Sequence, residues 1–307
     1  KGYRDDFMNV PLDVDGDGWL DVVTCTWFAK KCEWLRNPGP AGATWSRGPF
    51  QENGNYEAGE LCDVDGDGKA REILPAVTNT VWYEVRDRVP VKHVVCEKTM
   101  TWGVGCGDIN GDGRPDIVRP DAWFEAPTDP RAAQWKERPL DIANRQKKVP
   151  DTAQILVYDV NGDGLADLIA SAAHDYGIFW YEQVRHGTDI TFRQHLIDDS
   201  WSQAHSLALA DLDGDGDPEL IAGKRFMAHN GADPGELEPL GVYWYDLARK
   251  PAPAWTKHIV SYNEGVGSGV TMAVADLDGD GDLDMVVTGK WGGPVWFENT
   301  LRSGTVP

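Results

Sequence analysis

The chain has no apolar run near the ~18 residues that a membrane-crossing helix needs, so membrane insertion by a helix is excluded. It also lacks a basic patch. Its 29 Lys and Arg face 50 Asp and Glu, which excludes nucleic acid as a partner. Cysteine is sparse: Cys25, Cys32, Cys62, Cys96 and Cys106 permit two disulfides at most. Most of them fall in strand-like segments, where a small buried thiol is the simpler reading. Only Cys25 and Cys32, facing each other across one loop, suggest a pair. No amino-terminal leader pattern is present, so the sequence reads as a mature form.

What the chain has in excess is acid, and the acid is organised. Six copies of one loop begin at residues 13, 63, 108, 159, 211 and 276, at spacings of 50, 45, 51, 52 and 65. Acid or Asn stands at positions 1, 3, 5 and 9, and Gly at 4 and 6, in nearly every copy. The first copy supplies Asp13, Asp15, Asp17 and Asp21; the second Asp63, Asp65 and Asp67; the third Asp108, Asn110, Asp112 and Asp116. The fourth supplies Asp159, Asn161, Asp163 and Asp167; the fifth Asp211, Asp213, Asp215 and Glu219; the sixth Asp276, Asp278, Asp280 and Asp284. The second copy departs from the pattern, with Arg71 at position 9 and Glu72 one residue later. Converging oxygens on a glycine-permitted bend make a cage for a hard cation, and up to six Ca2+ ions are expected. An EF-hand would need Glu at position 12 between helices, but the first copy has Thr24 there, in the β-branched run Val22, Val23, Thr24. These are strand-loop-strand turns. Their 21 carboxylates match the net charge of −21, so the remainder of the chain is balanced.

A repeat of about fifty residues cannot bury a core alone, so the units must stack, and 1–307 reads as one repeat domain. Each repeat has a small-residue strand before the loop (Leu207 to Ala210) and an apolar strand after it (Leu220 to Ala222). An aromatic strand comes next, marked by Trp34, Trp82, Trp123, Trp180, Trp244 and Trp296. A fourth strand closes the unit, as at 91–95, 135–140, 192–197 and 255–260. Four antiparallel strands per repeat describe a blade, and the fold class is an all-β, six-bladed β-propeller with negligible helix. Seven blades would require one without a loop, and there is no room for it, because an insertion from Phe226 to Leu240 accounts for the 65-residue spacing. The last repeat lacks a fourth strand after Thr300, and Lys1 to Arg4 are expected to supply it.

If each acidic loop joins strands one and two at one end, the start of strand one and the end of strand two share the opposite end. That topology gathers His174, His205 and His229, whose imidazoles suit Zn2+ or another transition metal better than Ca2+. Taken singly, each also reads as a hydrogen-bonded loop residue. Gln154, Gln203 and Arg225 reach the same end as candidate substrate-binding groups, and Tyr176, Lys224 and Asp151 as candidate catalytic bases, among which the sequence does not choose. Ten of the 14 Trp read as core, including Trp19 and Trp45. Trp27, Trp102, Trp201 and Trp291 fall near the rim, where indole faces, Trp102 and Trp291 above all, could stack on sugar rings.

These loops resemble those of the FG-GAP or VCBS calcium-loop propellers over essentially the whole chain, a family that includes adhesion modules as well as enzymes. The segments 174–182, 203–207 and 223–229 are similar to bacterial VCBS proteins related to the propeller domain of fungal aldos-2-ulose dehydratase. That resemblance implies a zinc ion that binds a keto-sugar and assists proton removal beside the carbonyl, followed by β-elimination. The expected function is therefore a metal-dependent carbon–oxygen lyase or dehydratase acting on a keto-sugar or keto-glycoside. One alternative is a non-catalytic calcium propeller that binds glycans or proteins; another is a uronate polysaccharide lyase. Calcium loops fill most readily at millimolar calcium, so a periplasmic or extracellular location is expected. Oligomeric state is not set by the sequence.

Overall fold

The structure is a computed structural model that describes residues 6–42, 44–52, 54–132, 134–142, 152–227, 229–289 and 292–301. The chain packs as two compact units, Lys1–Asp141 and Ile142–Pro307.

The first unit holds three antiparallel sheets. They are β1 (Asp6–Leu12), β2 (Asp21–Thr26), β3 (Lys31–Arg36) and β4 (Ser46–Glu52); β5 (Ala58–Cys62), β6 (Glu72–Ala76), β7 (Thr80–Arg86) and β8 (Val89–Cys96); and β9 (Gly105–Gly107), β10 (Asp116–Arg119), β11 (Ala122–Glu125) and β12 (Lys136–Pro139). The second unit holds β13 (Ile155–Tyr158), β14 (Asp167–Ser171), β15 (Tyr176–His186) and β16 (Asp189–Ser202); β17 (Ala204–Ala210), β18 (Glu219–Lys224), β19 (Gly241–Ala248) and β20 (Ala254–Tyr262); and β21 (Ala273–Ala275), β22 (Asp284–Gly289) and β23 (Gly292–Phe297). In every sheet, strands adjacent in sequence are hydrogen-bonded neighbours. Six such meander blades, three per unit, give the all-β, six-bladed propeller class that the loop count predicts. Apart from one 3-10 turn at Gly39–Ala41, no helix occurs among the described residues, and none is long and apolar enough to cross a membrane. The sixth blade has three strands, and Lys1 to Arg4, expected to complete it, lie outside the described residues.

Each acidic loop joins the first and second strands of its blade, and its two glycines make the turn. Gly16 and Gly18 have φ of +72° and +88°, a region open to glycine at little cost, and the pair recurs in all six loops. Second strands β6, β10, β14 and β18 are buried along their whole length, with an apolar middle that follows the buried loop acid. Third strands bury Trp82, Trp123, Trp180 and Trp244. Three of these indoles are covered by a histidine from the fourth strand: Trp82 by His93, Trp180 by His195 and Trp244 by His258, at centroid distances of 4.1, 4.4 and 3.9 Å.

Three tryptophans expected in the core are exposed. Trp19 lies against the Gly39 turn rather than inside a blade, Trp45 precedes the outer strand β4, and Trp296 sits on β23, which has no outer neighbour among the described residues. Trp201 is corrected the other way. It is buried at 6% exposure, with Nε1 2.9 Å from Tyr245 Oη, and offers no face to a sugar.

Cys25 and Cys32 form the expected disulfide, between directly paired residues of β2 and β3. A second one, Cys62–Cys106, joins β5 to β9 across 44 residues and leaves Cys96 as a half-buried thiol. No local pattern marks this pair, because it forms only where two neighbouring blades meet.

The third-strand acid of the second blade is a charged anchor. Glu84 accepts hydrogen bonds from Arg131 Nη2 at 2.8 Å and meets His93 Nε2 and Arg86 Nη2 at 2.7 Å. Burial alone would raise its carboxyl, but the bonds from Arg131, His93 and Arg86 outweigh it and bring the pKa from 4.5 to about 2. Its contribution to stability is therefore complete above pH 4.5 and lost as pH falls toward about 2. Glu84→Gln should cost about 2 kcal/mol in urea unfolding at pH 7 and flatten that acid limb.

Candidate functional site

The three histidines meet within the second unit. His174 lies in the turn between β14 and β15, His205 is the second residue of β17, and His229 lies in the segment after β18 that breaks the repeat. The ring of His174 stacks on that of His229 at 4.7 Å and 11°, and meets that of His205 edge-on at 5.7 Å and 73°. Ring nitrogens of His174 and His229 lie within 4.8 Å of each other and of the Asp233 carboxylate, and nitrogens of His174 and His205 are equally close. The separation expected for two ligands on opposite sides of one ion, at 2.0–2.1 Å per bond, is about 4 Å.

Asp233 is the member that sequence reasoning missed. Its Oδ2 lies 2.8 Å from His229 Nδ1, 3.1 Å from His174 Nδ1 and 3.5 Å from Arg225 Nη2. A carboxylate accepting Nδ1–H leaves Nε2 of the same ring with its lone pair, the arrangement that prepares an imidazole to bind metal. Arg225 Nη2 also sits 3.1 Å from His174 Nδ1. A guanidinium only donates, so the Arg225 and Asp233 contacts call for opposite tautomers of His174. The signal was available, since Asp233 follows His229 by four residues inside the insertion. Glu236 from the same segment is buried, and its carboxylate accepts the backbone N–H of His229, Gly231 and Asp233, thereby shaping the turn.

His205 is 1% exposed, and burial, then the charge of Arg225, hold it well below the usual imidazole range. It is therefore neutral at pH 7, the form in which a ring nitrogen binds metal.

The other predicted residues divide. Gln203 and Arg225 join the cluster: Arg225 Nη2 donates to Gln203 Oε1 at 3.1 Å, and both are buried. Gln203 holds φ at +62°, a conformation that costs roughly 1–3 kcal/mol in a non-glycine residue. Two backbone bonds pin it, from its N–H to Asp175 O and from Arg225 N–H to its carbonyl, both 2.9 Å. Lys224 is fully buried, and its Nζ donates to Ser202 O, Ser202 Oγ and Gly235 O at 2.7–2.9 Å. Burial brings it down to about 8, but all three ammonium hydrogens are engaged, so it acts here as a pin for the insertion. Tyr176 Oη donates to Glu238 Oε1 at 2.5 Å, and that bond, then burial, raises its pKa. Gln154 Oε1 accepts Leu207 N–H at 2.7 Å and ties the fourth blade to the fifth. Trp102 belongs to the first unit, 4.7 Å from Trp27. Asp151 and Trp291 lie outside the described residues.

The acidic loops form a second class of site. The carboxylate at position 1 folds the loop: Asp13 accepts N–H groups of Gly16, Asp17 and Gly18 at 2.8–3.1 Å. The acid at position 9 is buried and accepts the N–H of position 2, as Asp21 does from Val14, Asp116 from Ile109 and Asp284 from Leu277, all at 3.1 Å. In the second loop Glu72 performs this task for Val64 at 3.0 Å, so the extra residue there leaves the bend intact. Burial is the first cause that pushes Glu72, Asp116 and Glu219 up to about 7. Carboxylate oxygens of Asp13, Asp15 and Asp17, and of Asp211, Asp213 and Glu219, gather within 4.8 Å. Opposite ligands of a Ca2+ ion are about 5 Å apart, so the oxygen-only donor sets fit a hard cation.

No curated protein matches the chain. Among solved structures, the Vibrio cholerae biofilm matrix protein Bap1 is similar at 17% identity and TM-score 0.44 over 89% of this chain, which spans 42% of that one. BBS1N, solved in complex with ARL6DN, is similar at 14% identity and TM-score 0.50, covering 93% of this chain and 76% of its own. YCF48 from Cyanidioschyzon merolae is similar at 13% identity and TM-score 0.51, covering 98% and 87%. At such identities the last two speak for the fold alone. Residues 13–70 and 159–222 match the family model described as FG-GAP-like repeat, so the chain carries FG-GAP-like repeats on a propeller scaffold.

Proposed function

We propose that the second unit holds one transition-metal ion, Zn2+ by donor chemistry, on His174, His205 and His229, and that the chain is a lyase acting by β-elimination on a keto-sugar or keto-glycoside. The observation that carries the reading is the convergence of the three imidazoles, with Asp233 placed to orient two of them. When bound, such an ion supplies Lewis acidity toward a carbonyl oxygen, favouring loss of the neighbouring proton. The chain's own groups supply the rest. Arg225 and Gln203 are buried donors suited to orienting hydroxyls. Tyr176 with Glu238 is the described pair best suited to take or return a proton at Tyr176 Oη, since the donors of Lys224 are consumed. The likeness of segments 174–182, 203–207 and 223–229 to bacterial relatives of aldos-2-ulose dehydratase supports the substrate class. Two disulfides, together with calcium-type loops, support a periplasmic or extracellular setting.

A glycan-binding reading is favoured by one observation in the first unit: Phe7, Trp27, Phe28 and Trp102 cluster with centroids 4.7–6.4 Å apart, and Phe28 is 67% exposed.

The test combines elemental analysis with ultraviolet detection of enone formation from a panel of keto-sugars and uronate polymers. Near-stoichiometric transition metal and an absorbance rise with keto-sugars are expected. Calcium alone, with no rise on any keto-sugar, would overturn the proposal.

A further inference from the structure

The six acidic loops are near-copies, but the positive charges around them are not. In the first loop Arg36 reaches into the cage, with Nε 2.5 Å from Asp15 Oδ2 and Nη2 2.8 Å from Asp17 Oδ2. In the second, Arg131 Nη2 lies 2.8 Å from Asp65 Oδ2 and Arg71 pairs with Asp67. These are positions 3 and 5, whose oxygens a metal ion requires. In the three loops of the second unit, no carboxylate at positions 1, 3, 5 or 9 is ion-paired with Lys or Arg among the described residues. The guanidinium that comes near, Arg249, bonds Asp217 at position 7.

The repeat itself supports this difference. Two residues beyond the third-strand Trp, five blades carry an acid: Glu84, Glu125, Glu182, Asp246 and Glu298. The first blade carries Arg36 there. That position neighbours position 3 of the loop: the charge of Asp246 contributes to raising the carboxyl of Asp213, and Glu84 shares Arg131 with Asp65. The first blade has thus exchanged an acid that repels the loop for a cation that closes it. The second keeps the acid and adds Arg131 across both carboxylates.

We infer that loops 1 and 2 are closed by built-in guanidinium groups in place of a divalent cation, and that calcium is taken by the four loops beginning at Asp108, Asp159, Asp211 and Asp276. A Ca2+ entering loop 1 would have to break two charge-assisted bonds and then sit a few Å from the displaced charge. Loop 3 stays with the cation-binding group because its guanidinium, Arg114, meets Asp112 at position 5 alone, whereas loops 1 and 2 have positions 3 and 5 both paired. The histidine centre plays no part in this inference.

Calcium titration calorimetry on the metal-stripped full chain, checked by elemental analysis, is expected to give no more than four ions. Arg36→Gln should add one site, and its melting temperature, below that of wild type in EDTA, should rise with calcium by more than the wild-type rise. Arg131→Gln should likewise open loop 2, giving a second and independent reading. Six ions in the wild type, or a count unchanged in both variants, would overturn the inference; the wild-type count needs no variant to fold.

Discussion

His205→Ala is expected to reduce the transition-metal content from about one per chain to none, while the far-ultraviolet spectrum and the calcium content stay those of the wild type. His205 is the buried wall of the cluster, kept neutral and packed beside His174, so an alanine there removes its most enclosed nitrogen donor. His174 in the β14–β15 turn and the more exposed His229 in the insertion would remain, with Asp233 already engaged as the hydrogen-bond partner of both rings. Asp233→Asn provides the graded companion. Asparagine keeps the shape but loses the charge that accepts Nδ1–H from His229, and loss of such an orienting group weakens metal binding about 10–100-fold. Both are read by elemental analysis and by competition with a chromophoric chelator. If His205→Ala retains its transition metal, the ligand assignment is wrong.

Removing calcium should have the larger effect on stability. The acidic loops fix the ends of every first and second strand, and their position-9 acids are buried beside further carboxylates without a counter-charge in the second unit. A site held at a hundredfold excess of ligand over Kd contributes about 2.7 kcal/mol. Four such sites together place the fall in Tm on chelation on the order of 10 °C or more for a chain of this size. Scanning calorimetry in EDTA and in excess calcium measures it, and a Tm indifferent to EDTA would remove calcium from the account. The second unit should respond more than the first, because Arg36, Arg71 and Arg131 already neutralise two of the first unit's loops.

How much of this was legible beforehand depends on how local the signal is. The loops could be read residue by residue, because Asp13 and Gly16 act on each other within one turn and the same turn recurs six times. The histidine cluster could be read from topology: once a loop joins strands one and two, His174 and His205 are committed to the same strand ends however far apart they lie in sequence. Glu236 and Glu238 could not, since they sit in the one insertion without a repeat to compare it with; for Asp233 the four-residue spacing from His229 was the one local signal. Trp201 reads as a rim residue because it follows the outer strand expected at 192–197, whereas β16 runs on to Ser202 and Asp198 and Tyr245 draw its indole inward. The Cys62–Cys106 bond was invisible for the opposite reason: the two residues become neighbours only when two blades pack side by side.

That last bond has a consequence for wear. It encloses residues 63–105, which contain the whole of loop 2 and three of the four strands of the second blade. A protease that nicks the chain anywhere in that span leaves both pieces fastened together, held in addition by the sheet hydrogen bonds on either side of the cut. In an oxidising milieu the first unit can therefore be scarred there without coming apart.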